Sequence, residues 1–170
     1  MEETYRLRRA TAEDEGFLRR LFAETHESLK TLPRQLQEPL IRMQYQGREM
    51  TYSARYPQAE NWILCLEDGT AAGRHLIARV QNSFHEIDLA ILPEHQRRGL
   101  GTFALRQLQR RAEAEEIGMS LQVAKGSPAE RLYRRLGFIP AGEEQIFRRM
   151  VWIQTKGQDS TVAQQRNGMA

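Results

Sequence analysis

Glu86-Ile87-Asp88-Leu89-Ala90-Ile91-Leu92-Pro93-Glu94-His95-Gln96-Arg97-Arg98-Gly99-Leu100-Gly101-Thr102 carries the reading that decides the fold. It opens as a strand, with Ile87, Leu89 and Ile91 on one face and Glu86, Asp88 and Ala90 on the other. Pro93 ends the ladder because it has no backbone N–H to donate. A charged turn with two glycines follows, and then a helix in which Leu100, Ala104, Leu108 and Ala112 recur every four residues. Phe103 and Leu105 widen that stripe. A glycine-bearing turn between strand and helix leaves several backbone N–H groups aimed at one point, where the helix dipole also favours phosphate. The turn lacks the Lys-Ser/Thr ending of a P-loop and the third glycine of a dinucleotide fingerprint. Spacing alone leaves open that Gly99 and Gly101 do no more than permit a tight turn.

A second block lies downstream: Ser127-Pro128-Ala129-Glu130-Arg131-Leu132-Tyr133-Arg134-Arg135-Leu136-Gly137-Phe138. Gln96-Arg97-Arg98-Gly99-Leu100-Gly101 resembles the Q/R-x-x-G-x-G/A signature of the GNAT (GCN5-related) N-acetyltransferases, and the second block is similar to that family's later helix ending in Tyr-x-x-x-Gly-Phe. The two motifs stand in the family's order, and the resemblance extends over about residues 5–153, loosely before residue 60. It implies an α/β GNAT fold, a mixed, mostly antiparallel sheet of about seven strands flanked by about four helices, splayed where acetyl-CoA enters. The chain length fits one domain, over 1–153, and the polar, aperiodic residues 154–170 read as a disordered tail.

By the same resemblance, Gln96, Arg97, Arg98, Gly99, Leu100, Gly101 and Thr102 hold the pyrophosphate of acetyl-CoA. Leu89, Ala90 and Ile91 hydrogen-bond the pantetheine arm and thioester. Tyr133 matches the tyrosine beside the CoA sulfur, and Glu86 matches a strand glutamate that is the base in some relatives. Two positions depart from the pattern. Gly126 stands where an asparagine commonly touches pantetheine, so that contact is lost or passes to Ser127. Gln122 replaces a glutamate of the ribosomal-protein acetyltransferases, which counts against that substrate.

Composition sets the remaining bounds. A chain of 170 residues suits one domain with its own core. A single cysteine, Cys65, excludes an internal disulfide and fits a reducing cytoplasm. The N-terminus has no apolar run, and no stretch approaches a membrane span, so a cytoplasmic protein without membrane contact is expected. The net charge is +3, but the 25 basic residues are interleaved with 22 acidic ones, which argues against nucleic acid. His75, His85 and His95 lack ligand spacing with Cys or acidic partners, so no metal is expected. Cys65, in an apolar strand, reads as a buried structural thiol.

Along the chain, residues 5–9 alternate as a short strand, Thr11 caps a helix whose buried face is Phe17, Leu18, Leu21 and Phe22, and residues 26–33 read as a linker. Leu36, Leu40, Met43, Gly47, Met50 and Ala54 step by four and three, which predicts one helix ending before Pro57. Gly47 on that stripe suggests close approach of another backbone. The resemblance makes Tyr45, Tyr52, Arg55 and Tyr56 candidate acceptor contacts, with packing the stronger role for the tyrosines. Residues 61–67 and 71–80 form a hairpin about Asp68-Gly69, and 120–123 form another strand after a helix that runs to Ile117 and closes at Gly118. Ser127, Pro128 and Glu130 have capping-box spacing, Gly137 stops that helix, and 138–141 pairs with 145–153.

Acyl transfer from a thioester to an amine needs a neutral amine, a polarised carbonyl and an acid for the departing thiolate. Tyr133 is the acid candidate, because a phenol is protonated at neutral pH. A backbone N–H near Ile91 polarises the carbonyl if the resemblance holds. Glu86 and Asp88, placed on one strand face, are the candidate bases. The expected activity is direct N-acetylation of a primary amine, on a small molecule, in a ternary complex. A protein or peptide acceptor and a non-catalytic acyl-CoA-binding module are the alternatives, and a homodimer through edge strands stays open.

Overall fold

The computed structural model describes residues 4–154. Its strands are β1 (Arg6–Arg9), β2 (Glu60–Cys65), β3 (Ala71–Val80), β4 (Ser83–Ile91), β5 (Gly118–Ala124), β6 (Ile139–Glu144) and β7 (Phe147–Trp152). The helices are α1 (Glu15–Thr25), α2 (Glu27–Lys30), α3 (Arg34–Arg55), α4 (Leu100–Ala114) and α5 (Pro128–Arg135). One seven-stranded sheet runs β1-β2-β3-β4-β5-β7-β6. Only β4 and β5 are parallel neighbours, joined through α4. The tail expected after residue 154 lies outside the described residues.

The helices divide between the two faces of the sheet. Leu18, Phe22, Leu29 and Tyr45 from α1–α3 pack over Ile63 and Cys65. On the other face Leu105, Leu108 and Tyr133 from α4 and α5 pack with Ile77, Phe84 and Leu121. Cys65 is a buried free thiol.

β4 and β5 stay paired only from Ser83–Gly118 to Glu86–Leu121. Beyond that point β4 keeps β3 as its partner, while β5 continues against β7. The sheet therefore opens into a wedge with the Leu89–Ile91 edge of β4 on one side and Gln122–Ala124 of β5 on the other.

Several expectations are corrected. The 26–33 linker contains the one-turn helix α2. α4 ends at Ala114, before Ile117, and Glu116 makes the following turn with a positive φ of 55°. β5 begins at Gly118. The 36–54 helix is present as α3, but it is rotated from the orientation its apolar stripe implies. Tyr45 is its buried residue, whereas Leu36, Met43 and Met50 are exposed. No other backbone approaches Gly47; a Cβ there would find nothing within 4 Å. The inner face of α3 is mixed: Ile41 and Tyr45 pack on the apolar cluster, and Arg48 and Glu49 cover an ionic one.

Candidate active site

The turn after β4 forms a cradle of donors. Gln96 Nε2 donates to the Ile91 carbonyl at 2.9 Å, so this side chain ties the turn back to the strand. Arg97 and Gly99 take positive φ values of 61° and 93°, and Gly99 supplies the left-handed N-cap of α4 without steric penalty. The first backbone bond of the helix runs from Phe103 N–H to the Gly99 carbonyl at 2.9 Å, which leaves the N–H groups of Leu100, Gly101 and Thr102 without intrahelical acceptors. Gly101 is buried; a Cβ would meet Leu132 Cδ2 at 3.1 Å and Ile91 Cδ1 at 3.6 Å. A glycine thus lets α4, α5 and β4 converge directly below the turn. The Leu100 side chain points into the core, so only its backbone faces the cradle. Tyr5 Oη donates to the Arg98 carbonyl, tying β1's approach to the same loop. These orphan N–H groups fit a diphosphate.

α5 carries Tyr133 and is closed by a Schellman motif. Gly137, with φ 86°, donates to the Arg134 carbonyl at 3.1 Å, and Phe138 N–H reaches the Tyr133 carbonyl at 3.0 Å. The same turn drives Phe138 into the core, edge-on to the Tyr133 ring at 5.7 Å. The Tyr-x-x-x-Gly-Phe spacing is therefore a device for fixing the ring of Tyr133. Burial raises the pKa of its phenol above the ordinary value near 10, and the charges of Glu86 and then Asp88 push the same way. No described residue hydrogen-bonds the hydroxyl.

The N-terminus of α5 departs from a capping box. Ser127 Oγ makes no cap bond and is buried without a hydrogen-bond partner. The Glu130 carboxylate instead accepts from Gly126 N–H at 3.1 Å. Gly126 has φ 76°, a conformation a glycine or asparagine tolerates. Arg134, the Gly126 N–H and Arg148 hold the Glu130 carboxyl down to about 2.

The expectation that Glu86 and Asp88 share a face is overturned. Ile77 of β3 pairs with Glu86 and Leu76 pairs with Asp88, so Ile87 is an extra residue in a β-bulge. Neighbouring residues of β3 face opposite sides, so the bulge sends the two carboxylates to opposite faces of the sheet. Glu86 faces α4 and α5, where His75 Nε2 lies 2.7 Å from its Oε2. Both side chains are buried, and Glu86 Oε1 has no partner among the described residues. Asp88 faces α3.

On that second face an ionic cluster roofs the wedge. Buried Arg74 donates to Asn61 Oδ1 at 2.9 Å and forks onto Glu49 at 2.7 and 2.8 Å. Arg48 and Arg74 lie 3.7 and 3.6 Å from Asp88 Oδ2, which accepts no hydrogen bond. The Arg48 guanidinium stacks over Phe22 at 4.6 Å and over Tyr52 at 5.6 Å. Tyr45 Oη donates to Glu15 at 3.1 Å, a packing role. Tyr56 stacks on His85 at 5.6 Å, and exposed Arg55 lies over Tyr56. Burial, then Arg55 and Arg149, lower the pKa of His85, so its ring is neutral at pH 7. The sequence names His75 and His85 only as histidines without ligand spacing, and it gives no sign of Arg48, Arg74 and Glu49. They come from three elements, and no spacing rule joins them. Among the described residues no group of three His, Cys, Asp or Glu side chains could hold a metal. No helix among them is long and apolar enough to cross a membrane.

The chain matches the acetyltransferase (GNAT) family model over residues 17–138, well over half of its length. It belongs to the GNAT acetyltransferase family. Membership makes it an acetyl-CoA-dependent N-acetyltransferase, and solved structures agree on the fold of this GNAT protein. PaiA N-acetyltransferase from Thermoplasma acidophilum, in complex with coenzyme A, aligns with a TM-score of 0.69 at 16% identity over 89% of this chain and 99% of that one. A spermidine N-acetyltransferase chimera of Vibrio cholerae SpeG and hSSAT aligns at 0.63 and 18% identity, over 88% and 95%. A GNAT acetyltransferase from Staphylococcus aureus aligns at 0.63 and 12% identity, over 88% and 98%. A comparison with curated protein sequences gives no match.

Proposed function

We propose that this GNAT protein transfers the acetyl group of acetyl-CoA directly to a primary amine of a small molecule, within a ternary complex. The observation that carries this reading is the wedge between β4 and β5, with a buried phenol on one face and a carboxylate on the other. Acetyl-CoA, when bound, supplies the activated thioester. Gly99, Leu100, Gly101 and Thr102 offer N–H donors to its diphosphate, aided by the charges of Arg97 and Arg98. The Ser127 hydroxyl, buried without a partner, is the polar group available to the pantetheine arm in place of the absent asparagine. The unpaired Leu89–Ile91 edge offers backbone N–H to the carbonyl.

The amine enters from the α3 face. Asp88 attracts the ammonium and takes its proton, directly or through water, so that nitrogen can attack the carbonyl carbon. As the C–S bond breaks, Tyr133 gives its proton to the departing sulfur. Glu86 sits on the Tyr133 side with His75 at its back. Its role is electrostatic: negative charge there keeps the phenol protonated.

A thiol-release assay with acetyl-CoA across polyamines, amino acids, aminoglycosides and a lysine-bearing peptide tests this reading. Polyamines are one arm because the spermidine N-acetyltransferase chimera shares the fold. Intersecting initial-velocity lines with a small amine support it. Turnover of the peptide alone, or acetyl-CoA binding without thiol release on any amine, refutes it.

A further inference from the structure

The face that α3 turns to solvent carries an apolar stripe between charged residues such as Glu38 and Arg42. Leu36 is 52% exposed, Met43 60% and Met50 73%. With Leu40, Gly47 and Ala54 they step alternately by four and three, the a and d spacing of a helix that packs along another helix. The flanking positions are Gln37, Pro39, Gln44, Gln46, Thr51 and Ser53. None of these seam or flank positions carries a charge, in a chain that is 28% charged. A groove lies on this face, with Pro39, Met43, Gly47 and Met50 in its walls and the Glu38–Arg42 ion pair at its side. A Cβ on Gly47 would meet nothing within 4 Å, so the glycine answers no packing need inside its own chain. It still costs the helix about 1 kcal/mol relative to alanine.

We infer that this face is covered by α3 of a second copy, running antiparallel about a two-fold axis. The seam is self-complementary in that arrangement. Leu36 of one copy lies against Ala54 of the other, Leu40 against Met50, and Met43 against Gly47, and symmetry repeats each pair. Every pair sets a large side chain against a smaller or equal one, and Gly47 is the hole that receives Met43. A two-fold axis brings identical flanks close together, so charged flanks of one sign would repel; these are neutral. One helix pair about 33 Å long lies at the low end of interface sizes, so the dimer forms at micromolar concentrations. The inner face of α3 stays on the sheet, and the wedge remains open. The inference rests on α3 alone and does not depend on the acetyl-transfer reading.

Sedimentation velocity of the full chain between about 1 and about 500 µM tests it. The expected result is a monomer–dimer equilibrium within that range. Gly47→Met fills the hole and weakens association at least about tenfold, while the exposed site and better helix propensity keep the fold intact by circular dichroism. The double swap Met43→Gly with Gly47→Met keeps large against small in every pair and restores the dimer. A monomer throughout the range overturns the inference. So does a dimer indifferent to Gly47→Met, or a folded double swap that stays monomeric.

Discussion

Arg74 on β3 holds Glu49 on α3 through two parallel N–H···O bonds of 2.7 and 2.8 Å. The guanidinium is buried beneath the helix, and its partner reaches it from the solvent side. This fork, together with the buried Tyr45 one turn earlier, fixes the middle of α3 over the sheet. Glu49→Ala leaves a buried cation with Asn61 and a looser Asp88 contact. We expect a loss of about 2–3 kcal/mol in urea unfolding, with Glu49→Gln losing less. Equal stability of wild type and Glu49→Ala would show that α3 is held by something else.

Tyr133→Phe keeps the ring that Phe138 packs against and removes only the proton. Turnover is expected to fall about 10²-fold with the KM for acetyl-CoA nearly unchanged. The phenol pKa is raised, so the acid form persists beyond pH 10, and kcat should show no alkaline limb below that pH from this group. An unchanged kcat in the variant contradicts the assignment.

Gly73 pairs with Ile91 where the β3 and β4 backbones come close, and a Cβ there would stand 2.5 Å from the Ala90 carbonyl oxygen. The obstacle is backbone and cannot swing aside. Gly73→Ala should destabilise by about 3 kcal/mol and also disturb the strand edge that faces the thioester. Gly101→Ala is crowded by the movable tip of Leu132, at 3.1 Å, with Ile91 and Leu89 at ordinary contact distance, and should fold normally. Thermal melts of both variants, with and without acetyl-CoA, separate the two effects.

Arg8 hydrogen-bonds the buried Asp14 carboxylate at 2.7 and 2.8 Å, and Thr11 N–H adds a third bond at 2.8 Å. Chiefly through Arg8, the Asp14 pKa falls from 3.8 to about 2. A carboxyl depressed on folding stabilises the protein above its unfolded pKa and loses that contribution as pH falls toward its folded one. Stability should therefore drop by about 1 kcal/mol between pH 5 and pH 2 through this group, a figure reduced for the half-exposed arginine. Asp14→Asn should flatten that part of the pH–stability curve.

The local signals survived folding wherever one segment carried the whole instruction. Gly99 can take a left-handed φ that opens α4, and Gly137 with Phe138 closes α5 beside Tyr133; each is set within a few residues. The strand, turn and helix from Glu86 onward were legible for that reason. The Glu86/Asp88 alternation was not, because a bulge is a property of two strands. Residue counting on β4 cannot reveal that Ile87 is skipped by β3.

By itself the sequence determined the strands and the donor turn, since propensity, glycine conformations and period act along the chain, while Tyr133 was marked by the family resemblance. Tertiary structure alone decided that Glu86 and Asp88 part to opposite faces, that His75 backs Glu86, and that α3 presents Arg48 and Glu49 inward. Buried charges are tolerated only with partners, and those partners are separated by up to 40 residues, from Arg48 to Asp88. A helix rotates to satisfy them even when this leaves leucine and methionine on the outside of its own chain.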